Sequence, residues 1–378
     1  MTALEPIRYQ LGQKGSRRNV NTPNLLLDLD AFTHNVATMA TTISQAGKRL
    51  RPHFKSHKCP RIASAQMAAG AVGICCATLD EAEIAVANGL AGILLTSPIT
   101  SADKILRLTR LLQKAPETQV VVDNVENVQA LAQAARAAGV VVPVLLDIEI
   151  GFGRTGVVDA DQAQNLAGAI RGESTLRYEG VQAYGGHLQH TADYDIRVSL
   201  CAEAHRFIEG IIERLAAFGM APSLVTGGGT GTHAIDSRTG PFTEIQAGSY
   251  VFMDAEYETI TYEPRKSWPF KNSLFVQTAV ISTNRPGMVT TDAGTKAFAL
   301  NGEKPRVTTP GFENSIYSYL GDEHGRITLV DAATPSIGTK FECVPSHCDP
   351  TVALYDSYYC VRDDAVVDIW PILARGRR

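Results

Sequence analysis

No apolar run in this chain approaches the roughly 18 residues that a membrane-spanning helix needs. The opening Met1-Thr2-Ala3-Leu4-Glu5-Pro6 is not a signal-peptide pattern. No Lys/Arg-rich block stands out and the net charge is −4, which argues against nucleic acid and anionic membrane surfaces as partners. No CxxC pair occurs, and the seven cysteines are odd in number. Cys75 and Cys76 lie inside an apolar strand-like run, as buried thiols do, so a reduced cytoplasm is the expected setting. The glycine-rich turn at 226–232 is neither GxGxxG nor Walker A, and nucleotide binding is not favoured. There is no low-complexity segment, and no repeat beyond the alternation described next.

What is there is an ordinary globular composition, 44% hydrophobic and 20% charged, over 378 residues. That length suits a barrel with an accessory domain. Short apolar runs alternate with helical patterns: 24–30, 51–55, 73–78, 92–97, 119–124, 142–150, 178–184 and 223–226. Continuous apolar runs fit parallel strands covered on both faces. Eight of them, each followed by a helix, predict a (β/α)8 TIM barrel over residues 22–262. Asp30 is placed to cap the first helix. Beyond 262 the helical period fades. Runs at 274–282, 287–292, 326–329, 340–345, 357–361 and 365–370 predict a mostly-β domain over 263–378, joined by the N-terminal arm 1–21. Asp363-Asp364 reads as the turn of its last hairpin.

Five segments carry chemistry. Arg51-Pro52-His53-Phe54-Lys55-Ser56-His57-Lys58 delivers Lys55 to the end of a barrel strand, where a cofactor-binding lysine belongs. Gly151-Phe152-Gly153-Arg154-Thr155-Gly156 bends sharply and brings Arg154 to the barrel mouth, suited to an anionic oxygen. Gly185-Gly186-His187-Leu188-Gln189-His190 offers two histidines as ring partner or base. Thr226-Gly227-Gly228-Gly229-Thr230-Gly231-Thr232 follows the last strand, where glycine freedom lets several amides converge on a phosphate. In Pro345-Ser346-His347-Cys348-Asp349-Pro350, an extended backbone would turn His347 and Asp349 to one side and Cys348 to the other. Imidazole and carboxylate together suit a catalytic Mn²⁺, Zn²⁺ or Mg²⁺. A lysine, an arginine, histidines and a phosphate cup at strand ends point to pyridoxal 5'-phosphate.

These segments, with Val122-Asp123-Asn124, Gln182-Ala183-Tyr184, the stretch 244–254, Asp292-Ala293-Gly294 and Asp322-Glu323-His324-Gly325, resemble the D-threonine aldolases and 3-hydroxy-D-aspartate aldolases. Those are fold type III enzymes of the alanine racemase type, as are the eukaryotic-type D-serine dehydratases. The resemblance covers nearly the whole chain. It implies Lys55 as the Schiff-base lysine, with Lys58 the nearest rival, and Arg154 and Tyr184 beside the cofactor. It implies Thr226, Gly228, Gly229 and Thr230, with Ser249 or Tyr250, around the phosphate. It implies His347 and Asp349 as metal ligands, Mn²⁺ foremost, and His190 as base, with His187 the alternative. The implied reaction is retro-aldol cleavage of a D-3-hydroxy amino acid to glycine and an aldehyde; the alternative is dehydration to a 2-oxo acid and ammonia. Relatives of the fold often pair head to tail, so a homodimer is compatible with it.

Overall fold

The computed structural model describes residues 10–376; the first nine residues of the arm lie outside the described residues. Its strands are β1 (Asn24–Asp28), β2 (Arg49–Leu50), β3 (Ile74–Cys76), β4 (Ile93–Leu95), β5 (Gln119–Val122), β6 (Val142–Ile148), β7 (Leu176–Ala183), β8 (Leu224–Gly227) and β9 (Glu244–Ile245). Then come β10 (Leu274–Ser282), β11 (Met288–Thr291), β12 (Arg306–Val307), β13 (Ile316–Tyr319), β14 (Gly325–Thr328), β15 (Lys340–Val344), β16 (Ser357–Arg362) and β17 (Ala365–Pro371).

Strands β2 to β9 form one parallel sheet in the order β2-β9-β8-β7-β6-β5-β4-β3. The sheet closes where Val72 N donates to Leu50 O and Cys75 N to Pro52 O, each at 2.9 Å. Alternation along each strand explains why the runs read as continuously apolar. Cys75, Leu94, Val121, Leu145 and Leu224 pack on one another. Their neighbours Ile74, Ile93, Val120 and Val144 belong to the core that includes the surrounding helices. Side chains one apart point to opposite faces, so both faces are dry. This is the eight-stranded parallel barrel that the sequence predicts.

The expected strand at 24–30 is a strand, but it is not the first of the barrel. It lies in the second sheet, antiparallel to β10 and parallel to β16. Leu25, Leu26 and Leu27 are fully buried there, and an apolar run buried on both faces looks the same in either sheet. The missing barrel strand is β9, a Glu-Ile pair too short and too polar to register as a run. The 51–55 segment likewise holds no strand: β2 ends at Leu50, and Lys55 sits in a 3-10 turn, Phe54–Ser56. The cap of the first helix (Leu29–Gln45) is Asp28, which accepts from Asp30 N and Ala31 N.

The second sheet runs β11-β14-β13-β12-β15-β10-β1-β16-β17, and β11 also pairs with β10. Strands β10 to β15 therefore close into an antiparallel barrel, from which β1, β16 and β17 extend. All six runs expected beyond 262 are strands; β12 and β13 are additional. Gly12 N and Arg17 N donate to Val366 O and Asp364 O, so the described part of the arm packs on the last hairpin. β1 lies within the expected barrel span 22–262, yet by its pairing it belongs to the second sheet.

Candidate active site

Lys55 is positioned from both domains. Phe54 is buried and meets His57 edge-on at 5.0 Å. Tyr358 of β16 donates its hydroxyl to His57 O at 2.7 Å, and Ala374 N donates to Lys58 O at 3.2 Å. Lys55 Nζ lies 3.5 Å from Asp349 Oδ2. Burial opposes its charge, but Asp349 outweighs this and raises the Lys55 pKa. The rival, Lys58, has φ of 51° and its ammonium is held by the buried carboxylate of Glu81.

Arg154 stacks on Tyr184, its guanidinium 5.2 Å from the ring centre, and on Phe152 at 5.5 Å. The loop is tied back by Glu149, which accepts from the amides of Gly151, Phe152 and Gly153. His187 is parted from His190 here. Its ring stacks on Phe152 at 6.0 Å.

The glycine loop is held from behind. Gln189 Oε1 accepts from Gly231 N at 2.9 Å, and Thr232 Oγ1 accepts from Gly229 N at 3.2 Å. Gly228 has φ of 66°, and a Cβ there would lie 2.6 Å from Asp236 Oδ2. The amides of Gly228 and Thr230 have no partner among the described residues. Thr230 Oγ1 accepts from Tyr250 N at 3.0 Å, while the Tyr250 hydroxyl faces Gln66. Ser249 Oγ lies 3.3 Å from Asp349 Oδ1. Thr226 stands deeper: its hydroxyl is engaged by Glu244 and Gln246, and Glu244 in turn pairs with Arg51. Two open amides beside a serine hydroxyl, with a lysine nearby, fit the phosphate end of pyridoxal phosphate.

The third group gathers at the domain boundary. His347 is extended (φ −138°, ψ 128°), but a short helix, Cys348–Val352, starts directly after it. The expectation that Cys348 faces away from its neighbours therefore fails. Its sulfur, His347 and Asp254 offer ligand atoms all within 4.8 Å of one another, and Asp349 turns toward Lys55. Asp254 is fully buried and accepts from His347 Nδ1 at 3.0 Å, Cys348 N at 2.8 Å and Tyr257 N at 3.0 Å. With Nδ1 engaged by a carboxylate, Nε2 is the donor left for a metal, an arrangement common around ligating histidines. The donor set fits a divalent cation.

Glu256 adds a carboxylate 3.1 Å from His190 Nδ1 and 3.3 Å from His347 Nδ1. The rings of His190 and His347 are 6.1 Å apart. Burial works against a charge on His347, yet Asp254, Asp349 and Glu256 raise its pKa to about 9. Burial lowers that of His190, with Glu256 opposing. Asp349 would be raised by burial, but the charge of Lys55 and then that of His347 bring it well below the carboxylate range. Asp254 and Glu256 were not singled out from the sequence; the one signal was Asp254 as helix cap, with Glu two residues on.

All seven cysteines are buried and free, as anticipated for Cys75 and Cys76. Among the described residues no helix is long and apolar enough to cross a membrane.

Residues 27–256 match the family described as alanine racemase, N-terminal domain, and residues 273–361 match the putative serine dehydratase domain. The chain is 38% identical to the D-threonine aldolase of Arthrobacter sp over 94% of its own length and 93% of that protein's. It is 35% identical to the 3-hydroxy-D-aspartate aldolase of Paracoccus denitrificans (strain Pd 1222), over 95% and 93%. The crystal structure of D-threonine aldolase from Filomicrobium marinum superimposes with a TM-score of 0.90 at 39% identity, covering 95% of this chain and 96% of that one. Two matched domains and near full-length similarity establish what the barrel and its lysine indicated: the chain belongs to the D-threonine aldolase and 3-hydroxy-D-aspartate aldolase family of alanine racemase-like lyases.

Proposed function

We propose that the protein is an aldolase that cleaves D-3-hydroxy amino acids to glycine and an aldehyde, using pyridoxal phosphate and a divalent cation. The observation that carries the reading is the meeting of Lys55 and Asp349 at 3.5 Å beside the His190–His347 pair. A cofactor lysine, a candidate metal corner and a base converge there.

When bound, pyridoxal phosphate supplies an electron sink for the carbanion left at Cα, and the cation supplies Lewis acidity toward the 3-hydroxyl. Lys55 holds the cofactor through Nζ. The amides of Gly228 and Thr230, the Ser249 hydroxyl and the close turn at Gly229 would hold its phosphate; Tyr250 supports them by donating its backbone N–H to Thr230 Oγ1. Arg154, kept rigid on Tyr184, would meet the cofactor's anionic ring oxygen. His347 and Asp349 hold the cation, Mn²⁺ foremost with Mg²⁺ or Zn²⁺ as alternatives. Asp254 fixes the tautomer of His347. His190, kept neutral near pH 7 by burial, takes the 3-hydroxyl proton. As Cα–Cβ breaks the aldehyde leaves with its new C=O, the bonding pair stays at Cα, and a proton returned to Cα completes glycine.

Cys348 favours a second reading. A sulfur within the ligand cluster, in a segment matching a putative serine dehydratase domain, would suit dehydration to a 2-oxo acid and ammonia. Product analysis separates the two. Purified protein with pyridoxal phosphate and Mn²⁺ is given D-threonine or 3-hydroxy-D-aspartate. Glycine with acetaldehyde or glyoxylate supports the aldolase; ammonia with a 2-oxo acid overturns it.

A further inference from the structure

Glu256 is not part of any ligand set discussed above, yet it is the group that touches both histidines. One oxygen, Oε1, is 3.1 Å from His190 Nδ1; the other, Oε2, is 3.3 Å from His347 Nδ1. Its backbone is fixed from the second domain, since Glu256 N donates to Ser346 O at 3.2 Å and Ala255 N to Pro345 O at 3.1 Å. Its carboxylate is confined on the far side by Gly302, where a Cβ would come within 3.2 Å of Oε2. Gly302 has φ of 84°, a conformation other residues adopt at a cost. The side chain is 23% exposed, and among the described residues no lysine or arginine forms an ion pair with it.

Chemistry then divides its two oxygens. His347 Nδ1 already donates to Asp254 at the shorter distance of 3.0 Å. Toward His347, Glu256 therefore acts by charge. Toward His190 it faces a ring nitrogen for which no other partner is found among the described residues. A carboxylate opposite Nδ1 selects the tautomer with the proton on Nδ1 and leaves the Nε2 lone pair free. The His190 ring is braced on its face by Tyr257, 5.3 Å between centres.

We propose that Glu256 is a positioning residue that sets the tautomer of His190 and, through its charge, tightens the metal corner. One side chain thus aligns the base and the cation site. The inference deepens the aldolase reading and rests on it for the role of His190. Its central claim, the tautomer, is open to test without substrate, cofactor or metal.

The test is Glu256→Gln, which keeps the shape and removes the charge, alongside Glu256→Asp, which keeps the charge but is too short to span both rings. The metal- and cofactor-free protein is labelled with ¹⁵N-histidine, and the ring nitrogens of His190 are assigned through His190→Asn. The wild type is expected to show His190 protonated at Nδ1, and Glu256→Gln to shift the ring toward the Nε2–H form. Mn²⁺ titrated calorimetrically should bind about 10-fold more weakly to Glu256→Gln, in the range seen when partners of metal ligands are removed. In turnover, kcat should fall while KM stays within about twofold, and Glu256→Gln should cost nothing further in the His190→Asn background. An Nε2–H tautomer in the wild type, or an unchanged tautomer in Glu256→Gln, overturns the proposal. A wild type that shows the Nδ1–H tautomer and its dependence on Glu256 but cleaves no D-3-hydroxy amino acid overturns the aldolase reading instead.

Discussion

The glycine loop at 226–232 and the corner around Asp254, Glu256 and His347 flank the same lysine by opposite means. The loop works through backbone amides, hydroxyls and an amide side chain, Gln189. Asp236 stands behind it, tied to His205 at 2.9 Å. The corner brings two acids and two histidines within a few ångströms. The loop depends on there being no Cβ; the corner depends on where protons sit. A methyl group should therefore damage one, and a lost charge the other.

The largest effect is expected at the residue between them. Lys55→Ala should remove the visible absorbance of bound cofactor and drop turnover to background, while Lys58→Ala keeps the absorbance. Survival of the band in Lys55→Ala would assign the attachment elsewhere. Next comes the corner. Asp349→Ala should lower Mn²⁺-dependent turnover by about 10- to 100-fold, with cofactor absorbance intact; full activity without added metal would remove the cation from the reading. Gly228→Ala should do the reverse. A methyl group at φ of 66°, 2.6 Å from Asp236 Oδ2, should weaken cofactor binding by about tenfold, the equivalent of about 1.4 kcal/mol, and leave Mn²⁺ affinity unchanged. Equal losses of both would mean the two regions are not separable.

Acid provides the smallest and most graded contrast. His233, beside the loop, donates through Nδ1 to Thr230 O and is otherwise enclosed by rings. Burial lowers its pKa to about 4. A histidine with a depressed folded pKa contributes stability above its unfolded value near 6.5, and that contribution is lost as pH falls toward 4. From pH 7 to 5 this amounts to about 2 kcal/mol. His347 has the opposite sign in the metal-free protein. Raised to about 9 despite its burial by its carboxylate neighbours, it contributes stability below pH 6.5 that disappears as pH rises through 9. Urea midpoints at pH 5, 7 and 9 for His233→Asn and His347→Asn should diverge accordingly: the first variant loses less than wild type on acidification, the second less on alkalinisation.

Much of the scaffold was legible in the chain. β3 to β8 are apolar runs because both faces are dry, and Lys55 stood out by its place after β2. β9 escaped because Glu244 and Ile245 form a strand of two, its glutamate neutralised by Arg51, a pairing visible only across the closed barrel. β1 was read as a strand and put in the wrong sheet, since burial on both faces does not say which neighbours supply it. At the corner, His347 and Asp349 were chosen on an extended spacing; the helix that begins at Cys348 brings Cys348 in beside His347 and Asp254 and Asp349 beside Lys55. Asp254 and Glu256 sit on one short helix, Ala255–Glu258, and at its cap. They reach His347 from about 90 residues away in sequence, and no local pattern announces a contact of that range.

The position of β1 has a consequence for biosynthesis. It emerges early from the ribosome, but its partners are residues 274–277 and 358–361. The barrel strands and their helices are made in between. A buried Leu25-Leu26-Leu27 segment must therefore wait until the barrel strands and then β10 and β16 have been made. A nascent chain stalled shortly before β16 should leave β1 paired to β10 along one edge with its other edge open.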